Sequence, residues 1–448
     1  MKKTNGLPGD LVEVHLTQKI YEGVLLETSE RGIVLIKLGS GYNIGFNSKD
    51  VLEIKVLKKG KDVYDETEMK QDAEKPNVAM IITGGTIAAR LNPRKGGVDW
   101  LDTPESLFKF YPGVFDKVNV KYVDVPFMKA SEDMDFKDWK AIAKMCEKYL
   151  NDPTIKGIII THGTDFLHYT SAALSFFLKD LNKPVVLTYS QRSIDRASSD
   201  ANLNLQCSAL AAISDINEVM IVGHASSNDD YCLAMPGTKV RKLHTSRRDA
   251  FRLVNGKAFA KIYPDRIDVV WNPARKKNNG AKLDSKFEEK VALVKIYPGQ
   301  DPEILDYYLK KKYKGIVLEM SGLGHAPTKR ARNSWTKKLK EIIDKGIVVC
   351  GTSQCINGRV DPLVYSNGRE LLETGIIYLK DMLAETALVK LGWVLGHKDW
   401  APKGVQPQGL REPASRPRGT SGKVPTGGNV REKMLENFSH EISDRLEK

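Results

Sequence analysis

Two short segments of this chain join a strand-like apolar run to hydroxyl-bearing residues. Val78-Ala79-Met80-Ile81-Ile82 runs into Thr83-Gly84-Gly85-Thr86-Ile87-Ala88, and Gly157-Ile158-Ile159-Ile160-Thr161 runs into His162-Gly163-Thr164-Asp165. A strand apolar on both faces belongs in a parallel sheet covered on both sides, and open sheets of that kind bind ligands at the carboxyl ends of their strands. The Gly84-Gly85 pair allows backbone N–H groups and a ligand to approach where a Cβ would clash. Two threonines and a carboxylate are therefore expected to converge on one crevice. Either segment alone is compatible with an ordinary strand-to-loop turn, since glycine marks such turns freely. Together they point to chemistry.

These segments resemble the L-asparaginase/glutaminase family, whose signatures are Thr-Gly-Gly-Thr-Ile-Ala and His-Gly-Thr-Asp, and the resemblance covers most of residues 76–396. It implies that Thr86 is the nucleophile and that Thr164 and Asp165 work with a lysine further on. The implied lysine is Lys242, in Lys242-Leu243-His244-Thr245-Ser246-Arg247-Arg248-Asp249-Ala250-Phe251, with Lys239 as its competitor. Ser131-Glu132-Asp133-Met134 is similar to the family's substrate-gripping Ser-Gln-Asp-Met, which implies substrate contacts for Ser131 and Glu132. Glu132 stands where a glutamine is usual. The family also places a tyrosine in a mobile loop shortly after the first motif; Ala89 to Val98 contains none, and the nearest later one is Tyr111.

The chemistry those residues would perform is definite. A threonine hydroxyl attacks an amide only with a nearby base and with donors for the developing oxyanion. Thr164, Asp165 and Lys242 are the candidates for the base. A lysine serves that way when burial or neighbouring cations lower its pKa, and an adjacent Asp165 carboxylate acts in the opposite sense. The competing reading of Lys242 is a solvated basic face, since Arg241, Arg247 and Arg248 lie beside it.

These residues need a sizeable scaffold. With 448 residues and 41% hydrophobic content the chain has room for two or three domains. Residues 11–16, 20–26, 32–38, 42–46 and 51–56 read as five short strands bounded by turn residues, the pattern of a small antiparallel barrel over residues 1–60. Residues 61–76 are polar and acid-rich and read as a linker. A larger α/β domain is expected over 77–275 and a smaller one over 276–400. Their strands include Val185-Val186-Leu187, Val219-Met220-Ile221-Val222, Val291-Ala292-Leu293-Val294, and the runs beginning at Gly315 and Gly346. Strands alternating with helical segments indicate a doubly wound α/β class. Phe166, Tyr169, Ala173, Phe176 and Phe177 recur at helical intervals, so Asp165 should lie near a helix start. Residues 401–428 carry five prolines, six glycines and five basic side chains against one acidic, a flexible composition, and the last segment, 429–448, resumes as a helix.

Other classes are less well supported. No run approaches the roughly 18 apolar residues of a membrane span, and the start lacks an apolar signal segment, so a cytoplasmic protein is expected. Five cysteines without Cys-x-x-Cys spacing argue against a disulfide framework or a zinc site. The net charge of +13 lies in the body and tail, because residues 1–75 hold 12 basic and 13 acidic side chains. Local concentrations occur at Arg275-Lys276-Lys277 and at Lys310-Lys311-Lys312-Tyr313-Lys314.

The amino-terminal segment, with Gly41-Tyr42-Asn43-Ile44-Gly45, resembles the small β domain carried by the tRNA-dependent amidotransferase branch of the family. That resemblance implies glutamine as amide donor and ammonia passed to an E subunit, which activates Glu-tRNA(Gln). ATP and Mg would be bound by that partner, with no cofactor in this chain, which lacks Gly-x-x-x-x-Gly-Lys-Ser/Thr. A homodimer within a heterotetramer is implied. The alternatives are a free cytoplasmic L-asparaginase and a weakly catalytic subunit that docks tRNA or the partner.

Overall fold

The computed structural model describes residues 6–26, 32–38, 43–59, 72–91, 98–100, 116–193, 198–273, 280–400 and 430–443. Near the amino end, β1 (Leu11–Leu16), β2 (Ile20–Leu26), β3 (Ile33–Leu38), β4 (Asn43–Asn47) and β5 (Val51–Lys58) form an antiparallel sheet in the order β4-β3-β2-β1-β5. Alternation along β1 buries Val12 and Val14, which join Leu25 and Ile36 in a small core. Register shifts at Leu11/Val12 and His15/Leu16 interrupt the ladder between β1 and β5, and such bulges bend a strand. The segment read as a linker falls largely outside the described residues, as do Arg275-Lys276-Lys277, Tyr111 and residues 401–428.

The body holds a sheet built from β6 (Asn77–Ile82), β7 (Asn119–Asp124), β8 (Gly157–Thr161), β9 (Val185–Thr188), β10 (Val219–His224) and β11 (Cys232–Pro236). A separate hairpin follows, β12 (Val240–Lys242) with β13 (Phe251–Leu253), and then β14 (Ala260–Ile262) and β15 (Ile267–Val269) complete the sheet. Its order is β15-β14-β11-β10-β9-β8-β6-β7. β7, β6, β8, β9 and β10 are parallel, as their apolar runs predict. The far edge is antiparallel. Residues 225–231, which join β10 to β11, are too few for the crossover of a dozen or more residues that a parallel pair needs.

Helices α1 (Phe136–Leu150), α2 (Leu167–Phe177) and α3 (Ala201–Ala212) cover the two faces. Ala79, Ile81, Ile158 and Ile160 share a core with Ile142, Cys146, Leu174 and Phe176. Their neighbours Val78, Met80 and Ile159 turn to the other side, against Leu205 and Ala209. Period-two alternation between two covered faces is why residues 78–82 and 158–160 are apolar without a break.

A second parallel sheet runs β16 (Val291–Lys295), β17 (Gly315–Met320), β18 (Val348–Ser353), β19 (Ile377–Tyr378). Helices α4 (Ile304–Lys310) and α5 (Thr336–Asp344) contribute Leu305, Leu339 and Ile342 to the core on one side. On the other side α6 (Ala384–Gly396) packs against both sheets' elements, with Trp393 stacked on Phe176 at 5.6 Å. Between the two sheets Lys282–Leu283 pairs with Leu178–Lys179. There the Phe287 ring lies so close to Gly392 that a Cβ at Gly392 would collide with it. Among the described residues no helix is long and apolar enough to cross a membrane.

The last described segment is locked down by charge. α7 (Val430–Leu435) leads to Glu441, whose carboxylate pairs with Lys390 on α6 at 2.6 Å, both side chains being fully buried. The Lys390 ammonium also donates to the Met434 carbonyl at 3.0 Å and to that of Glu436. Burial lowers its pKa while Glu441 opposes that shift. Breaking a buried pair leaves one charge uncompensated. Glu441→Ala is expected to lower stability by about 3–5 kcal/mol; an unaltered denaturation midpoint would contradict this account of the pair.

Candidate active site

Ile82 on β6 and Thr161 on β8 are paired in register, so the two strands end level and release their motifs side by side. Thr83 is fully buried, its hydroxyl donating to the Thr161 carbonyl at 2.8 Å and its N–H to the same oxygen at 3.2 Å. It fastens the strand ends together. Thr86, three residues on, opens a single 3-10 turn (Thr86–Ala88) and remains partly accessible. The first motif thus contains one fully buried threonine and one left partly accessible.

Gly84 and Gly85 have φ of 119° and 84°, left-handed values that side chains rarely tolerate. A Cβ on Gly85 would lie 2.5 Å from the Cα and N of Gly163, and one on Gly84 would collide with the Lys129 carbonyl. Gly163 is equally constrained, because its Cβ would lie 2.9 Å from Ser131 N. Three segments, 83–86, 129–131 and 161–165, therefore meet backbone to backbone.

Lys242 ends β12, where it lies opposite Phe251. Its ammonium nitrogen is 2.8 Å from Thr164 Oγ1 and 2.6 Å from Asp165 Oδ1. The lysine side chain is 10% exposed and the aspartate 59%, so the pair opens to solvent on the aspartate side. The competitor Lys239 is elsewhere: it is buried and donates to Asp381 at 2.6 Å. The arginines beside Lys242 do not form an uncompensated basic face. Arg241 pairs with Glu385 at 3.0 Å, Arg247 with Asp249 at 2.8 Å and Arg248 with Asp229 at 2.8 Å.

Ser131 begins a short 3-10 turn, Ser131–Asp133. It is buried, accepts from the Phe166 N–H at 3.2 Å through Oγ, and donates to Glu132 Oε2 at 3.4 Å. Its hydroxyl thereby ties this turn to the start of α2, while Glu132 is exposed. Asp165 precedes that helix by two residues, as the helical period indicates. The loop without a tyrosine begins as a two-stranded pair, Ala89–Leu91 with Val98–Trp100, and its tip lies outside the described residues.

Two buried histidines behind the site had no signal of catalytic type in the sequence. His162 contacts the Gly163 carbonyl through Nδ1 at 2.7 Å, and its Nε2 has no partner among the described residues. His168 on α2 packs near Tyr169 and Phe251, with Nδ1 likewise unpartnered. Burial lowers their pKa values to about 4 and about 3, with Arg241 and Lys242 adding to the effect at His168. Among the described residues no group of three or more His, Cys, Asp and Glu is placed to hold a metal ion.

A histidine with a folded-state pKa below its unfolded value of about 6.5 takes up its proton more readily when the chain unfolds. Stability from this source is therefore present above about pH 6.5 and is lost as pH falls toward the folded-state values. His168→Leu is expected to flatten the dependence of the denaturation midpoint on pH between about 6.5 and 4. An unchanged slope would show that His168 is protonated alike in both states.

With this geometry in place, comparison with known proteins is informative. The family model described as Asparaginase, N-terminal matches residues 77–275, Glutaminase/Asparaginase C-terminal domain matches 290–406, and GatD N-terminal domain matches 7–57. The L-asparaginase of Thermococcus kodakarensis is 27% identical with a TM-score of 0.68, covering 82% of this chain and 100% of that one. L-asparaginase I of Vibrio cholerae is 26% identical with a TM-score of 0.61, covering 72% and 94%. Among curated relatives, the D subunit of glutamyl-tRNA(Gln) amidotransferase from Pyrococcus furiosus is 47% identical over 396 residues, 86% of this chain and 89% of that protein. The protein of that name from Methanobrevibacter smithii is 42% identical over 405 residues, 88% and 90% respectively. The asparaginase body, the five-stranded amino-terminal sheet and this near full-length similarity place the chain in the D-subunit family of glutamyl-tRNA(Gln) amidotransferases.

Proposed function

We propose that this chain hydrolyses glutamine and supplies the ammonia with which a partner E subunit converts Glu-tRNA(Gln) to Gln-tRNA(Gln). The observation that carries the reading is the attachment of a GatD-type amino-terminal domain, residues 7–57, to an asparaginase body. A free L-asparaginase is less well supported, because the two solved L-asparaginases named above are 27% and 26% identical to this chain, against 47% for the P. furiosus D subunit. The reading carries with it a cytoplasmic location, ATP and Mg at the partner, and a homodimer within a heterotetramer. Co-expression with an E-type partner tests it directly: glutamine-dependent amidation of Glu-tRNA(Gln) is expected, and its absence from an assembled, glutamine-hydrolysing complex would overturn it.

In this reading Thr86 Oγ attacks the amide carbon of glutamine. The tetrahedral intermediate expels ammonia, and water then releases glutamate from the acyl-threonine. Thr164 Oγ1 accepts a hydrogen bond from Lys242, which leaves the hydroxyl's own proton free to point into the crevice. For Thr164 to take the proton that leaves Thr86, its own hydroxyl proton must pass to an uncharged Lys242 amine, reversing the hydrogen bond between them, and that proton is then returned to the leaving nitrogen, which departs as ammonia. Ser131 and Glu132 are the substrate-binding candidates. Ser131 would act mainly by holding its turn, since its hydroxyl is already engaged, and the exposed Glu132 is available to meet the substrate's α-ammonium group.

Thr86→Ala is expected to abolish ammonia release from glutamine while leaving the melting temperature within a few degrees, because substitutions of accessible loop side chains usually cost about 0.5 kcal/mol or less. Near-normal release by the folded variant would remove Thr86 from its role. Residues that act as one unit give non-additive losses. Thr164→Ala combined with Lys242→Ala is accordingly expected to reduce kcat little more than either change alone. Multiplicative losses would assign them separate tasks.

A further inference from the structure

We propose that the amino-terminal edge of the smaller sheet, carrying Lys290, Lys310, Lys311, Lys312 and Lys314, is a docking surface for the RNA backbone. The sequence presents these lysines as a run and a distant residue; the fold makes them one patch. Lys290 and Lys314 immediately precede the neighbouring parallel strands β16 and β17, and the Lys314 N–H donates to the Lys290 carbonyl at 2.7 Å. Lys310 is the last residue of α4. The chain then turns back through Lys312, whose φ is +60°, so that the Tyr313 N–H reaches the Tyr308 carbonyl at 2.9 Å. The run is thus folded onto the edge that Lys290 occupies, with the Lys290 ammonium 5.3 Å from the centre of the Tyr313 ring.

The ammonium groups of this patch are not tied up in ion pairs, although the Glu288 carboxylate accepts from the Lys290 N–H at 2.9 Å. All five lysines are exposed, and among the described residues none takes part in an ion pair. The acids of the adjacent helices are already engaged: Asp306 and Glu341 with Lys338, Glu341 also with Lys345, and Asp344 with Lys340. Glu289 is the acidic neighbour of Lys290 in the chain. A helix carboxyl end favours a cation in its last turn by about 0.3–1 kcal/mol, which accounts for Lys310 but not for Lys290, Lys312 or Lys314. Like charges crowded on one face repel, and a polyanion relieves that repulsion by releasing its own counterions.

The aromatic neighbours select nucleic acid among polyanions. Tyr307, Tyr308 and Tyr313 form a chain of rings at 5.4 and 5.0 Å, and Tyr307 is 51% exposed. Lysines that track phosphates beside an exposed ring that can stack on a base are the combination used for single-stranded or looped RNA. Among the described residues none of these lysines is bonded to Thr164, Asp165 or Lys242, whose contacts are with one another. That the RNA is a tRNA rests on the amidotransferase reading; that the patch binds an RNA backbone does not.

The test uses the full chain with Lys310→Gln, Lys311→Gln, Lys312→Asn and Lys314→Gln combined, asparagine being chosen where φ is positive. Binding to an unacylated tRNA transcript is measured over a range of salt concentrations, with ammonia release from glutamine as the control for folding. Loss of four phosphate contacts is expected to reduce the slope of log K against log salt by roughly 3 and affinity at low salt by at least about tenfold, with hydrolysis unchanged. Equal slopes and affinities for the two proteins overturn the proposal. So does a variant that keeps tRNA binding but loses binding to phosphatidylserine vesicles, which would make the patch a lipid-facing one. Should the combined variant fail to fold, Lys310→Gln with Lys311→Gln and Lys312→Asn with Lys314→Gln are read by the same two criteria. Because tRNA binding and hydrolysis are assayed separately, failure of this proposal leaves the glutaminase reading standing, and the reverse also holds.

Discussion

The site depends on two backbones approaching more closely than side chains permit. Gly85 rests against Gly163, and Gly163 against Ser131, at separations where any Cβ would overlap the facing chain. Glycine relieves that steric exclusion and supplies the positive φ that Gly84 and Gly85 adopt. Everything else at the crevice follows from this contact. It sets Thr86 beside the loop that carries Thr164 and Asp165, and it brings in the Ser131 turn as a third wall. The buried hydrogen bonds of Thr83 to the end of β8 hold the two strand ends together so that the contact persists.

A second principle is the sorting of lysines by the exposure of their acidic partners. Lys239 and Lys390 are buried with Asp381 and Glu441, carboxylates that have no exposed surface. Lys242 is nearly as enclosed, but its partner Asp165 is more than half exposed. The first two pairs join distant parts of the chain, across 142 and 51 residues, and work as internal fasteners. The third also shares its ammonium with a threonine hydroxyl and faces the crevice. Similar geometry at 2.6 Å thus serves cohesion where both partners are sealed and remains open to solvent where one is not.

Much of the fold was legible in the sequence. Five amino-terminal strands are found within one or two residues of their expected limits, and the apolar runs at 78–82 and 158–160 form adjacent parallel strands, because covering a strand on both faces favours apolar residues at successive positions. The antiparallel outer edge of the larger sheet was not, since Cys232–Pro236 and Ala260–Ile262 carry no mark of direction; the short connection from β10 decides it. The burial of His162 and His168 was not legible either, for a histidine beside an apolar run does not reveal whether its nitrogens will find partners.

The sequence by itself determined the local conformations and the residue types: two strands that end in hydroxyl-bearing turns, and glycines where only glycine fits. Those outcomes depend on period and backbone sterics, which act over a few residues. Tertiary structure decided which residues meet. The order β9-β8-β6-β7 puts the chain reversal between β8 and β6, so both motifs open at the point where such sheets form a ligand crevice. The choice of Lys242 over Lys239 as the contact of Thr164, 78 residues away, arises in the same way. The two lysines are three residues apart on one hairpin segment, and only the packing of that segment against α2 and α6 determines which ammonium meets the site and which is sealed against Asp381.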